Sequence, residues 1–205
     1  RLGLGDADLA CGAHAPLDRE AARELRRAGG VPTPVHNNCS GKHTGMLTTA
    51  VQLGAPTAGY LDPAHAVQRR VRTVFEELMG AALPEPGVDG CGVPSWPVPL
   101  DRLAVAMANM VERPAARRLF AAMRAHPDLV AGTGRLDTAL MRARPDLVAK
   151  GGAEGVHVAI LPDRGLAVAV KAEDGAGRAA DVALLAVLDR LVGGVVDHPD
   201  LRPHA

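Results

Sequence analysis

The sequence predicts an α+β fold in which helices pack on an antiparallel sheet. Most of the chain carries apolar residues at helical spacing, whereas two strand-like runs, 156–161 and 166–171, lie close together near its end. The four residues Pro162-Asp163-Arg164-Gly165 separate these runs, and such a composition is typical of a β-hairpin turn. A long helical segment, 177–194, follows the hairpin. This order indicates a layered fold of helices and an antiparallel sheet.

Three helices are predicted in the first half of the chain. Residues 18–30 form the first, and Asp18 near its start is a residue type that caps helices well. Residues 31–38 contain two prolines and are expected to be extended. A second helix is expected within 39–54, so that a glycine-containing loop leads into its N-terminus. Residues 63–80 have the clearest amphipathic pattern, with valine, leucine and phenylalanine on one face.

The second half begins with a loop and continues with shorter helices. Residues 85–99 are rich in glycine and proline, which predicts a structured loop. Helices are expected at 100–111 and 114–125, and residues 130–141 join a glycine-rich turn to another short helix. A hairpin is not stable by itself. If the sheet has more strands, some of them are therefore expected from residues N-terminal to this chain.

The amino-acid composition argues against several functional classes. Lysine plus arginine number 23 and aspartate plus glutamate also number 23, so the net charge is zero. This balance, with aromatic residues at only 2%, argues against binding to nucleic acid or to an anionic membrane. There is no uninterrupted apolar run long enough for a transmembrane helix and no charged-apolar leader, so we expect neither a membrane span nor a signal peptide.

Cysteine usage indicates a reducing environment. The chain has three cysteines, an odd number at wide spacing, which does not predict a disulfide framework. A cytoplasmic location fits this pattern.

Two cysteine-containing segments are the first candidates for chemistry. In residues 36–47, Cys39 and Lys42 are three residues apart and face the same side of a helix that starts at this point. The helix N-terminus favours a thiolate, which is both a nucleophile and a zinc ligand. Cys91 is a second thiol in a tight loop after Asp89, and two such cysteines can meet on one metal ion. The alternative is that both are small buried apolar residues.

Single polar residues near these segments have both functional and structural interpretations. His43 lies beside Lys42 at the predicted helix start, although a lone histidine is commonly structural. Lys150 precedes Gly151, whose missing side chain would let a substrate approach closely. If Lys150 is buried, its pKa falls and it can serve as a base. Otherwise it is a surface lysine before a turn.

Five separated motifs, in the same order and over nearly the whole chain, resemble the bacterial L-asparaginase II family of the Rhizobium etli type. They are HNNCSGKHTGML (36–47), VDGCGVP (88–94), HPDLVAGTGRLDTALM (126–141), KGGAEGV (150–156) and EDGAGRAADVALL (173–185). The resemblance implies a fold similar to serine β-lactamases and penicillin-binding proteins. It also implies hydrolysis of L-asparagine to L-aspartate and ammonia by a homodimer.

The same resemblance assigns roles to individual residues. It implies a zinc site with three ligands: Cys39, Lys42 and Cys91. It places His43 and Asp89 next to that site or in contact with substrate. Lys150 matches the family lysine that partners a catalytic serine. As a zinc ligand Lys42 must be neutral, which requires a strongly lowered pKa that the metal itself can impose.

The serines are the main departure from the family pattern. The family's catalytic serines, one of them in an S-x-x-K arrangement, lie N-terminal to the matching region, whereas this chain has only Ser40 and Ser95 and no S-x-x-K. We therefore expect residues 1–205 to form a single asparaginase II-like domain that lacks an N-terminal part and is weakly active or inactive by itself. Ser40 is expected to be the helix N-cap.

Two alternatives remain on the sequence alone. The chain can be a catalytically inactive zinc-binding or interaction module of the same fold. It can also be a β-lactamase-like hydrolase that acts on another amide, although the scarcity of serine argues against this.

Overall fold

The structure, a computed structural model, describes residues 2–195 and residue 201. The chain divides into two units. The first contains the described residues up to Glu77 together with Ala81–Pro97, and the second contains Leu78–Gly80 with the described residues from Val98 onward. That residues 1–205 form one domain stays a prediction. Each unit is described by itself below.

The first unit is mainly helical, and its helices are those that the sequence predicts. They are α1 (Arg19–Arg27), α2 (Ser40–Gln52) and α3 (Ala66–Met79), the last of which ends in the second unit. Asp18 caps α1, since its carboxylate accepts a hydrogen bond from the Ala21 amide at 2.8 Å. Such a cap satisfies one of the amides that a helix start leaves without a partner.

Two local expectations for this unit are wrong. Residues 31–38 are not extended throughout, because Pro34–His36 form a 3₁₀ turn in which His36 Nδ1 accepts from the Thr33 amide at 3.0 Å. Ser40 is not the N-cap of α2. It is the first helical residue, and Cys39 occupies the cap position without a side-chain capping bond. The Cys39 amide instead donates to Asn37 Oδ1 at 2.7 Å, so the asparagine organises this turn.

A small antiparallel ribbon holds the predicted glycine- and proline-rich loop in place. Strands β1 (Gly87–Val88) and β2 (Pro94–Ser95) pair with Gly87 opposite Ser95. The five residues between the strands include Asp89 and Cys91. The loop is therefore closed at its base, and its polar residues occupy fixed positions.

The second unit confirms the predicted α+β architecture. Its helices are α4 (Leu100–Asn109), α5 (Pro114–Ala125), α6 (Pro127–Ala131), α7 (Leu136–Ala143) and α8 (Gly177–Val192). Its antiparallel sheet has the strand order β3 (Val148–Gly151), β4 (Val156–Leu161) and β5 (Leu166–Lys171).

The β4–β5 hairpin has the predicted bounds, and Gly165 takes the left-handed conformation in its turn. Strand β3 was not predicted, because only three apolar residues, 147–149, precede Lys150. A run this short carries too little periodicity to predict a strand.

Helices cover the sheet and form one apolar core. Helices α4 and α8 contact β4 and β5, whereas α5, α6 and α7 contact β3. The core consists mostly of leucine, valine and alanine, as the low aromatic content predicts. Fully buried members include Leu140, Leu184, Leu185, Leu188 and Ala159. Among the described residues, no helix is long and apolar enough to cross a bilayer.

Gly155 makes the tightest backbone approach in the second unit. Its φ is +68°, and a Cβ at this position would lie 2.8 Å from Ala172 Cβ and 3.1 Å from the backbone carbon of Gly175. Its carbonyl accepts a hydrogen bond from the Ala172 amide at 2.9 Å. Only glycine satisfies both the left-handed backbone and the close contact.

We therefore predict that Gly155→Ala lowers the free energy of unfolding by about 2–4 kcal/mol, since it combines backbone strain with overpacking. Gly165→Ala is the matched control. Gly165 also has a positive φ, +59°, but a Cβ there meets nothing within 4 Å. Its cost should be about 1 kcal/mol. Urea unfolding of both variants measures the difference, and equal losses would contradict the role of the close contact.

Candidate functional site

Four polar residues from two distant motifs meet in the first unit, and we call them the thiol–amine cluster: Cys39, Lys42, Asp89 and Cys91. Lys42 Nζ donates to Asp89 Oδ2 at 2.8 Å. The other carboxylate oxygen, Oδ1, accepts from Cys91 Sγ at 3.1 Å and from the Cys91 and Val93 amides at 3.0 and 2.9 Å. Cys39 packs against the apolar cluster that contains Cys91, and both Cys39 and Lys42 lie close enough to the Cys91 thiol to influence its pKa.

The cluster is electrostatically organised around the Asp89 carboxylate. Partial burial alone would raise the pKa of Asp89, but the hydrogen bonds from Lys42, Cys91 and Val93 outweigh it and lower this pKa to about 2. Burial opposes charge on Lys42 as well, yet its bonds to Asp89 and Cys91 raise its pKa. Burial and the Asp89 contact raise the pKa of the Cys91 thiol. In this arrangement Lys42 is an ammonium paired with a carboxylate.

The donor set of this cluster fits the zinc ion that the resemblance implies. Two cysteine sulfurs and one lysine nitrogen come together, and sulfur and nitrogen are the donors that zinc prefers. In the part of the chain that the structure describes, no group of three or more His, Cys, Asp and Glu side chains is placed to hold a metal. A zinc ion held here would therefore need the Lys42 amine as its third ligand. Metal binding would have to displace the protons of Lys42 and both thiols.

His43 lies behind the cluster in the interior of the unit. Its side chain is completely buried, and its Nδ1 is 2.6 Å from the Tyr60 hydroxyl, which also accepts from the Ala10 amide at 2.8 Å. Burial, reinforced by the neighbouring Lys42 charge, lowers the pKa of His43. His43 thus fixes the start of α2 from the inside.

Two residues of this interior network were not predicted from the sequence. Tyr60 is the partner of His43, and Gln68 Nε2 donates to the Tyr60 carbonyl at 2.8 Å. Both residues are buried, and Gln68 is a polar residue within the otherwise apolar face of α3. A glutamine on the apolar face of an amphipathic helix is the signal that could have identified it.

Cys11 is a small buried apolar residue, which is the structural alternative considered for the other two cysteines. It is 2% exposed and packs in an apolar cluster with Cys91 and Val93. Its Sγ lies 3.5 Å from the Pro34 carbonyl, and burial raises its pKa. It belongs to the core beneath the thiol–amine cluster.

Lys150 and Gly151 end strand β3 in the second unit. Lys150 is exposed, so the burial that would make it a base is not present among the described residues. Its Nζ donates to the Gly151 carbonyl. A Cβ on Gly151 would point at Asp137 and His157, 3.5 Å from both carboxylate oxygens and from Nε2. The missing side chain therefore faces these two residues.

A second polar cluster, missed by the sequence analysis, lies beside Gly151, and we call it the Asp–His–Asp chain: Asp137, His157 and Asp181. His157 Nε2 is 3.1 Å from Asp137 Oδ1, and its Nδ1 is 3.0 Å from Asp181 Oδ1. The side chains of Asp137 and His157 are only 3% and 5% exposed. A histidine within a buried strand is the one signal of it in the sequence.

The carboxyl group of Asp137 has a strongly lowered pKa. Burial would raise its pKa, but the His157 hydrogen bond and charge, the Lys150 charge and the Gly151 amide together lower it to about 2. The carboxylate is therefore ionised at all but strongly acidic pH.

These features define a class of protein: an α+β chain whose polar residues assemble into a thiol–amine cluster and, separately, into a buried Asp–His–Asp chain beside a lysine. The family model for L-asparaginase II matches residues 1–202, so the chain belongs to the L-asparaginase II family, and the resemblance seen in the sequence is confirmed. A search of curated proteins finds no significant match.

Because Asp137 has a low pKa in the folded protein, the free energy of unfolding depends on pH in the acidic range. Because its folded pKa of about 2 lies below the ordinary 3.8, its contribution is complete above about pH 4 and is lost as the pH falls toward 2. We predict a loss of about 2 kcal/mol in the free energy of unfolding over this range. Urea unfolding at about pH 5 and about pH 2.5 measures it. Asp137→Asn should be less stable at the higher pH and lose less between the two; an unchanged pH slope in this variant would refute the assignment.

Proposed function

We propose that this chain is part of an enzyme that hydrolyses L-asparagine to L-aspartate and ammonia. The match to the L-asparaginase II family over residues 1–202 carries the proposal. The assembly of Cys39, Lys42 and Cys91 from motifs about fifty residues apart supports a zinc site of the family type. We further propose that the whole protein has a serine β-lactamase-like fold and acts as a cytoplasmic homodimer.

In this proposal the thiol–amine cluster binds and orients the substrate. Zinc held by Cys39, Lys42 and Cys91 would act as a Lewis acid that orients polar substrate groups. The Asp89 carboxylate, ionised at neutral pH, is a suitable acceptor for the α-ammonium group of an amino acid. His43 supports the loop from the interior, through its contact with Tyr60.

Lys150 is the proposed catalytic lysine, and Gly151 beside it is the proposed point of substrate approach. A lysine in this role assists a nucleophilic serine by proton transfer. Neither Ser40, at the first position of α2, nor Ser95, at the end of β2, stands in an S-x-x-K arrangement. The proposal therefore assigns the nucleophile to neither of them.

The same observation supports a second candidate function. A chain that has the thiol–amine cluster but no S-x-x-K serine can be an inactive zinc-binding module of this fold. Binding of L-asparagine distinguishes the two candidates, because a part of the enzyme should bind it and an inactive module should not, whereas zinc is expected in both and ammonia release in neither.

We predict that the purified chain binds one zinc ion per molecule and that Cys39→Ala and Cys91→Ala each abolish stoichiometric binding, since each removes a thiolate ligand. Cys11→Ala is the matched control: Cys11 packs against the same cluster but is not a proposed ligand. It should retain zinc. Elemental analysis after dialysis measures the metal. Stoichiometric zinc in either ligand variant would refute the site.

We also predict that the zinc-loaded chain binds L-asparagine in calorimetric titrations but releases little or no ammonia. Turnover at a rate typical of enzymes, above about 1 s⁻¹, would show that the chain contains its own nucleophile. Failure of Asp89→Asn to weaken binding would contradict the proposed contact with the α-ammonium group. Absence of asparagine binding in the unmodified zinc-loaded chain would favour the inactive module.

A further inference from the structure

Each cysteine of the thiol–amine cluster lies two residues after a side chain that accepts a hydrogen bond from the cysteine's backbone amide. Asn37 Oδ1 accepts from the Cys39 amide at 2.7 Å, and Asp89 Oδ1 accepts from the Cys91 amide at 3.0 Å. Asparagine and aspartate form such turns readily, because their short side chains reach the backbone two residues further along. The two cysteines come from separate motifs and are placed by the same kind of turn.

The Asn37 side chain is anchored on its other side as well. It is only 8% exposed, and its Nδ2 donates to the Gly12 carbonyl at 2.6 Å, 25 residues earlier in the chain. The backbone carbonyl of Asn37 accepts from the Ser40 amide at 2.9 Å. Both polar ends of the side chain thus have a partner, and only one orientation of the amide group satisfies both. Asn37 is therefore held firmly between residue 12 and the start of α2.

The turn at Asn37 sets how the helix α2 begins. Cys39 is the N-cap of α2, and Lys42 lies one turn further along the helix. The backbone conformation of the N-cap residue determines where its side chain points relative to the first turn. The Cys39 side chain packs against the apolar cluster that contains Cys91. By holding the Cys39 backbone from outside the helix, Asn37 governs the placement of two of the three proposed zinc ligands.

We infer that Asn37 is a positioning residue for the zinc site: through its bond to the Cys39 amide, it holds the Cys39 thiol in place beside Cys91. The inference rests on the proposed function only in taking Cys39, Lys42 and Cys91 as zinc ligands. Asn37 acts through Cys39 and is not itself a ligand. A group that fixes a ligand before the metal arrives lowers the ordering cost of binding. Its loss should weaken zinc binding while every ligand is retained.

Variants at two neighbouring asparagines test the inference. Asn37→Ala removes both side-chain bonds, whereas Asn37→Asp keeps an oxygen for the Cys39 amide and loses the donor to the Gly12 carbonyl. Asn38→Ala and Asn38→Asp are the matched controls, because Asn38 is exposed and its Oδ1 contacts His14 Nε2 at 3.3 Å. Asn38→Asp adds the same charge one residue further along. Competition with a chromophoric zinc chelator, under reducing conditions and at one pH, measures the zinc dissociation constant of each variant.

Asn37→Ala should weaken zinc binding about tenfold or more, as the loss of a group that orients a metal ligand typically does. Asn38→Ala should bind zinc as the unmodified chain does. Asn37→Asp should unfold at lower urea concentration than the unmodified chain, yet bind zinc more tightly than Asn37→Ala. This recovery should exceed any gain of Asn38→Asp over Asn38→Ala, since that gain measures the effect of charge alone.

Three results would overturn the inference. The first is unchanged zinc affinity in Asn37→Ala. The second is an Asn37→Asp variant that binds zinc as weakly as Asn37→Ala, because the loss would then follow the bond to Gly12 and general stability. The third is a recovery no larger than the one between the two Asn38 variants, because charge would then explain it.

Hydrogen exchange covers the case in which Asn37→Ala does not fold. In the metal-free unmodified chain the Cys39 amide should exchange more slowly than an unstructured amide, although amides at helix starts commonly lack a partner. Exchange at the unstructured rate would refute the inference. If the unmodified chain binds no zinc, the proposed zinc site fails and the inference falls with it. If the unmodified chain and Asn37→Ala bind zinc equally tightly, the inference alone fails.

Discussion

The ion pair between Lys42 and Asp89 joins two segments that lie 47 residues apart, and the candidate metal site depends on it. One carboxylate oxygen accepts a hydrogen bond from the Lys42 amine. The other accepts from the Cys91 thiol and from two backbone amides of the loop between β1 and β2. This carboxylate is the shared partner of the Lys42 amine and the Cys91 thiol. The pair is half-exposed, so its value lies in bringing ligands together more than in stability.

In the second unit Asp137 likewise gathers several hydrogen-bond donors on one carboxylate, but its side chain is much more deeply buried than that of Asp89. An ionised carboxyl group that is almost fully buried is costly unless hydrogen bonds and opposite charges compensate for it. Here the Gly151 amide, His157 and the Lys150 charge supply that compensation. The same contacts fix the strand end that carries Lys150. Each unit therefore pairs an aspartate with a candidate functional lysine, Asp89 with Lys42 by a salt bridge and Asp137 with Lys150 through charge.

Much of the local structure follows from the sequence. Apolar periodicity predicted α2 and α3, and the capping residue Asp18 marked the start of α1. The run with Pro162 and Gly165 between two β-rich segments predicted the hairpin to the residue. Strand β3 escaped prediction because its apolar run is short and is stabilised by pairing with β4. Ser40 was misassigned as a cap, since capping depends on backbone geometry that Asn37 sets from outside the helix.

The candidate site, like the fold, could be predicted only in part from the sequence. By itself the sequence determined which chemical groups are present: motifs such as 36–47 and 88–94 carry thiols, an amine and a carboxylate in turns, and their order identified the family. Only the tertiary structure decided which groups meet. The contact of His157 with Asp137 spans 20 residues and two element types, and no local spacing encodes it. Side-chain burial and through-space charge depend on the packed chain, and these set the protonation of Asp89 and Asp137.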